Sequence, residues 1–215
     1  MHRTFSQRMA VPLTVLAVLA ALSVAGCSSM TAKPHASRES AGEKKQAMDL
    51  FIEGKIAEEQ ENYAQAVTYY YEAHIHDPDS PEITQALARA FAKDGKLLSA
   101  LQFMRKATKL MPSNPDNWQM LQQLEQHAGN TAAAAQALEM YIELSDDADF
   151  FDTMRLAWYY FDLDREDEAK EMLFNLASAE TVTSSEMLEI ASLLKEQGYD
   201  DDAISVFRRL IERDR

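Results

Sequence analysis

The chain has 215 residues, 47% hydrophobic and 26% charged, a globular composition long enough for one or two domains with a sizeable core. Against 35 Asp+Glu there are only 21 Lys+Arg, a formal net charge of −14, which argues against nucleic acid as a partner because phosphate recognition needs a basic footprint. The single cysteine, Cys27, excludes an intrachain disulfide and a thiolate metal cluster.

Residues 1–26 place Arg3 and Arg8 ahead of an apolar run and end in small residues, the grammar of a secretory leader. The ending Val24-Ala25-Gly26-Cys27 resembles the lipobox of bacterial lipoproteins. That resemblance implies cleavage before Cys27 and acylation of Cys27 by fatty chains such as palmitate. It also implies outer-membrane placement, since Ser28 follows the cysteine and not an Asp. Several acyl chains give stable anchoring where one alone is marginal. Residues 27–43 are polar, hold Pro34 and Gly42 and lack hydrophobic periodicity, so they are expected to form a flexible tether before a folded domain at 44–215.

Good helix formers dominate, and no alternating β-branched run suggests a sheet. Residues 47–80 read as two short amphipathic helices, with Gly54 in the first, Ala66, Tyr70 and Ala73 in the second, and Pro78 in the closing turn. The layout recurs at 81–114, 115–148, 150–183 and 184–215. Ala66, Ala100 and Ala134 are 34 residues apart; Ala169 follows at 35, through one inserted residue near 145–149, and Ala203 at 34 again. Gly95, Gly129 and Gly198 fall where first helices end, as left-handed caps do. Pro78 and Pro112 lie where second helices stop.

A 34-residue helix-pair period with small and large residues at these places resembles the tetratricopeptide-repeat family. The resemblance implies an all-α fold, an α-solenoid of about five helix pairs in a right-handed superhelix. The third copy departs from the family pattern, with Gln122 where a small residue is usual and Glu125 where an aromatic is usual. The last copy lacks a following helix, and Ser205, Arg208, Arg209 and Glu212 are expected to make its outer face polar.

No catalytic constellation is present: there is no glycine-rich phosphate loop, no Ser nucleophile elbow and no HExxH. His74 and His76, beside Asp77 and Asp79, read as solvated helix-end residues, and His127 is isolated. The expectation is a protein that is not an enzyme, with no cofactor, no metal and no small-molecule substrate.

In the family the first helices build the concave face. Transferred residue by residue, the outward positions of the fourth copy are Phe151, Met154, Trp158, Phe161 and Asp162, and those of the third include Gln119 and Gln123. An aromatic and Met stripe at helical spacing marks a partner groove more readily than a solvated face, with Trp158 and Phe161 as its centre; the alternative is that some rings pack on neighbouring helices. Residues 110–154 contain eight acids and no Lys or Arg, which suits a partner segment joining apolar residues to a few basic ones. Lys55, Arg89 and Lys93 alone do not reproduce the family's peptide-carboxylate clamp.

Together these features resemble bacterial outer-membrane lipoproteins of the pilotin and assembly-scaffold kind. The resemblance implies a lipid-anchored, periplasm-facing scaffold whose protein partner is a subunit of an envelope complex, such as a pilus or secretion secretin. The alternative is an adaptor that brings peptidoglycan enzymes or polysaccharide-export machinery to the outer membrane.

Overall fold

A computed structural model of the chain describes residues 34–213. The leader, Cys27 and the first part of the expected tether lie outside the described residues. The described chain is all-α: α1 (Pro34–Glu59), α2 (Tyr63–His76), α3 (Pro81–Lys93), α4 (Leu97–Leu110), α5 (Pro115–His127), α6 (Thr131–Leu144), α7 (Phe150–Asp162), α8 (Glu166–Ser178), α9 (Ser184–Glu196) and α10 (Asp200–Arg213). Each helix packs against its neighbours in sequence, and α7 also reaches α9. This is a tetratricopeptide-type array of five helix pairs.

Local chemistry sets the ends of these helices. Ser80 and Asn114 cap α3 and α5 through side-chain oxygens that accept from the Ile83 and Asp116 amides, with Pro81 and Pro115 in the first turn. Asp149 with Asp152, and Thr183 with Glu186, form reciprocal capping boxes on α7 and α9. First helices end in a left-handed residue at the same place in every copy: Glu61, Gly95, Gly129, Asp164 and Gly198, with φ of 58°, 74°, 75°, 58° and 86°. Glycine tolerates this backbone freely, whereas Glu61 and Asp164, both exposed, adopt it against the ordinary steric preference of an L side chain.

The repeat register is carried by alanines. Ala66, Ala100, Ala134 and Ala169 are fully buried and Ala203 nearly so, letting paired helices approach closely. Two main apolar clusters result, one spanning α1 to α6 and one spanning α6 to α10, and the half-buried Trp118 packs against both. Its indole NH donates to the Pro112 carbonyl at 2.7 Å, which fixes the ring at this junction.

Two expectations are corrected. Helix α1 begins at Pro34, ten residues before the expected domain boundary, so the second part of the segment read as a tether is helical. Residues 41–46 are exposed, and the good helix formers there extend the helix from its packed portion beyond Ala47. His74 is also not a solvated helix-end residue: it is half-buried, edge-on to Phe103 at 5.3 Å, with Lys106 at 3.4 Å from Nε2. Burial and then the Lys106 charge hold its pKa below the ordinary histidine value.

Gly54 shows how tight the first pair is. A methyl added at Gly54 would run into the Tyr70 ring, whose hydroxyl donates to Glu58 at 2.7 Å and so resists displacement. Helix propensity alone makes Gly54→Ala stabilising by about 1 kcal/mol. Overpacking reverses the sign, and a net loss of about 1–3 kcal/mol is expected in denaturant unfolding. A raised unfolding midpoint in Gly54→Ala would contradict this packing.

Candidate protein-binding face

The outward row of the first helices is polar in most copies. In register with Trp158 stand Lys55, Arg89, Gln123 and Ser192, and in register with Phe151 stand Met48, Glu82, Asp116 and Ser185. On α7 this row turns aromatic. Trp158 remains 47% exposed and Phe151 55% exposed, while Leu156, Ala157, Tyr159 and Tyr160 fill the core on the other sides of the helix. Each exposed ring is braced by its sequence neighbour, Trp158 against Tyr159 at 5.7 Å and Phe151 against Phe150 at 5.3 Å. Met154 is half-buried against the second cluster.

Phe161 does not belong to this exposed set. It is only 8% exposed and stacks on Tyr199 at 5.6 Å with 25° between the rings. Tyr199 stands just before α10, where the other copies have Asn62, Lys96, Asn130 and Arg165, so only the fifth copy supplies a ring that reaches back. An aromatic at an otherwise polar site was the sequence signal for this burial. Leu188 on α9 went unnoticed in the sequence: it is 34 residues after Met154, exposed, and on a helix that contacts α7. Phe151, Trp158 and Leu188 are therefore the exposed apolar members of this face, with Met154 half-buried beside them.

Gln119 and Gln123 lie on α5. Gln119 is half-buried on α5. Gln123 is exposed and lines a cleft of about 390 Å³ between α3 and α5, with Ala92, Leu97, Met120 and Leu124 as apolar lining and Lys93 and His127 beside it. The link from α5 to α7 runs underneath, where Gln122 Nε2 donates to the Tyr159 hydroxyl at 2.7 Å.

The irregular third first-helix is thus a polar joint. Gln122 and Glu125 are both buried, as is Asn117, which accepts from Gln85 on α3 at 2.6 Å. Arg105 on α4 grips Glu125 with two donors, Nε at 2.7 Å and Nη2 at 2.9 Å, and Asn130 adds a third at 2.8 Å. Burial alone would raise the Glu125 pKa, but these donors outweigh it and hold the carboxyl below the usual range. At the next junction the Tyr160 hydroxyl donates to Glu139 at 2.8 Å, with the Arg165 guanidinium 3.9 Å over its ring. Burial and that carboxylate push the Tyr160 pKa up to about 12.

Among the described residues no group of three His, Cys, Asp or Glu comes together as a metal site, and no helix is long and apolar enough to cross a membrane. The arrangement offers surface recognition: an apolar patch of Phe151 and Trp158 on α7 with Leu188 on α9, and a lined cleft between α3 and α5.

The tetratricopeptide-repeat family model matches residues 57–124, from late α1 into α5. No curated protein matches the chain. Among solved structures it is similar to MamA from Desulfovibrio magneticus RS-1, at 16% identity and a TM-score of 0.56, covering 78% of this chain and 94% of that one. It is also similar to YrrB, described as a tetratricopeptide protein with an unusual peptide-binding site, at 13% identity and a TM-score of 0.60, over 82% of this chain and 90% of that one. The first tetratricopeptide domain of Spaghetti, bound to the HSP90 peptide SRMEEVD, matches at 21% identity and a TM-score of 0.50, over 56% of this chain and 95% of that domain. At these identities the likeness is one of fold.

The Glu125 joint has a signed pH dependence. A carboxyl held below its ordinary value contributes stability that is fully present above that value and is lost as pH falls through the folded one. Glu125→Gln is expected to cost about 1–3 kcal/mol near neutrality. In urea unfolding at about pH 3 the gap from wild type should shrink. A gap that is the same at both pH values would remove Glu125 from the account of this junction.

Proposed function

We propose that this protein is a lipid-anchored scaffold of the bacterial envelope, facing the periplasm, that holds a protein partner against the first-helix face of its last two repeats. In this reading Cys27 carries the acyl chains, and the folded array presents Phe151, Met154, Trp158 and Leu188 to an apolar segment of the partner. The partner is a subunit of an envelope complex, such as a secretin of a pilus or secretion system, whose assembly the scaffold assists.

The observation that carries the reading is the exposure of Trp158 at a position where the other four copies have Lys55, Arg89, Gln123 and Ser192. Tryptophan at the centre of a solvent-facing patch is the residue type most enriched among binding hot spots. The acid-rich stretch at 110–154, which lacks Lys and Arg, favours a partner segment carrying basic residues beside its apolar ones. YrrB and the Spaghetti domain, proteins of the same fold, are described as binding peptides. The leader pattern and the one cysteine at the lipobox position support membrane anchoring.

Crosslinking and mass spectrometry of envelopes, comparing wild type with Trp158→Ala and Phe151→Ala, tests the binding face. Loss of the Trp158 indole should weaken the complex by about 2 kcal/mol or more. Deletion of the protein should also lower the yield of assembled secretin in outer-membrane fractions. Equal recovery of the same partners with both variants would count against the aromatic face. For the anchor, Cys27→Ser should shift the protein from the membrane to the soluble fraction; a variant that still fractionates as a mature membrane protein would refute acylation.

A further inference from the structure

His74 on α2 fills a place where no other copy has a titratable group: its counterparts in the later second helices are Thr108, Ile142, Ala177 and Ile211. The ring is half-buried between α2 and α4, edge-on to Phe103 at 5.3 Å, and Phe103 also meets Tyr71 at 6.4 Å. Lys106 reaches it from α4, with Nζ 3.4 Å from Nε2. An ammonium can only donate, so Nε2 accepts and the neutral ring carries its proton on Nδ1. That second nitrogen is enclosed and has no hydrogen-bond partner. The same ammonium donates to the Pro78 carbonyl at 2.7 Å, which ties α4 to the turn between α2 and α3. Lys106 thus joins the first pair to the second, and neither of these partners is a carboxylate.

We propose that His74 and Lys106 form a proton-sensitive latch between the first and second helix pairs, closed while the imidazole is neutral and released when it takes a proton. Protonation puts a hydrogen on Nε2, where the ammonium already stands, so two cations face one another at 3.4 Å with no acceptor between them. Lys106 relieves this only by moving off, which gives up the Pro78 carbonyl as well. The charged groups acting on the ring are Lys106 from α4, and Asp79 and Asp77 from the turn after α2. Both carboxylates favour the proton, but burial and Lys106 outweigh them and hold the pKa below the ordinary histidine value. The stability of this contact is therefore fully present above that ordinary value and is lost as pH falls through it toward the folded one.

Apolar packing at this end of the junction is slight. Ala47, Ala73 and Ile83 form a small buried cluster of their own, and a cavity of about 160 Å³ lies beside it, lined by Met48, Phe51, Asp77 and Ile83 among others. Opening there exposes little apolar surface. The late parts of α1 and α3 stay held by the larger cluster that contains Ala57 and Ala90. Release of the latch therefore loosens one end of the first junction and leaves the array folded. The inference is independent of the anchor and the partner proposed above.

Imidazole NMR of the full chain in mild detergent reads the proton directly, with the signal assigned by its proximity to the Phe103 ring and its loss in His74→Gln. His74 should titrate below the ordinary histidine value, and should move upward in Lys106→Met, which removes the charge and keeps an unbranched stem. Hydrogen exchange, corrected for its intrinsic pH dependence, reads the opening. Between about pH 7.5 and about pH 5 it should quicken at least about threefold in residues 73–84 and 103–110, and stay unchanged in residues 121–141. In His74→Gln, whose amide oxygen accepts from Lys106 without titrating, that difference should vanish, while His76→Gln should keep it. The latch is overturned by a His74 that titrates at or above the ordinary value, or one that Lys106→Met leaves unmoved. Equal exchange at both pH values in wild type, or a pH effect that survives in His74→Gln, overturns it too.

Discussion

The contact on which everything else depends is a small side chain set against a large one at a fixed interval along the chain. Gly54 lies under the Tyr70 ring, and the buried alanines at 66, 100, 134, 169 and 203 keep the helices of each pair in close contact. A solenoid unit cannot bury its apolar face alone, so the interval that brings these residues together also decides which side of every helix faces solvent. Once Ala157 and Tyr160 are drawn inward, Trp158 has only the outward row left to it.

The middle of the array uses a different kind of contact. Where the third copy departs from the repeat pattern, the buried Gln122 and Glu125 make hydrogen bonds to α7 and α4 that an apolar core would lack. Such polar joints add little net stability, because desolvation offsets most of what they gain. Their geometry is demanding, though: a slipped register would leave Gln122, Glu125 and Asn117 buried without partners. They tie the second, third and fourth pairs into one alignment beneath the proposed binding face.

The helix pairs, their register and the left-handed caps at Gly95, Gly129 and Gly198 were legible in the sequence because they depend on residue size and backbone freedom at a repeating interval, whereas the left-handed Glu61 and Asp164 carry no glycine to mark them. Gln122 and Glu125 were visible as irregularities, but their partners Tyr159 and Arg105 were not, since those contacts join residues 37 and 20 positions apart. Phe161 was misplaced for a related reason. Transfer of outward positions treats all copies alike, whereas Tyr199 changes the surroundings in the fourth copy only. The start of α1 was missed because helix growth from a packed segment into residues 34–46 leaves no periodic trace. Leu188 was readable as the counterpart of Met154 and was overlooked.

The central claim is that the α7 row meets a partner directly. It is tested most directly by placing a photo-crosslinking side chain at position 158 in the full-length protein in its native envelope. A control at position 98 is apt, because Leu98 is the most exposed large apolar residue of the described chain and lies on the second helix of its pair. The account predicts a discrete crosslinked product from 158 that is absent from 98. No product from 158, or the same products from both positions, would contradict it.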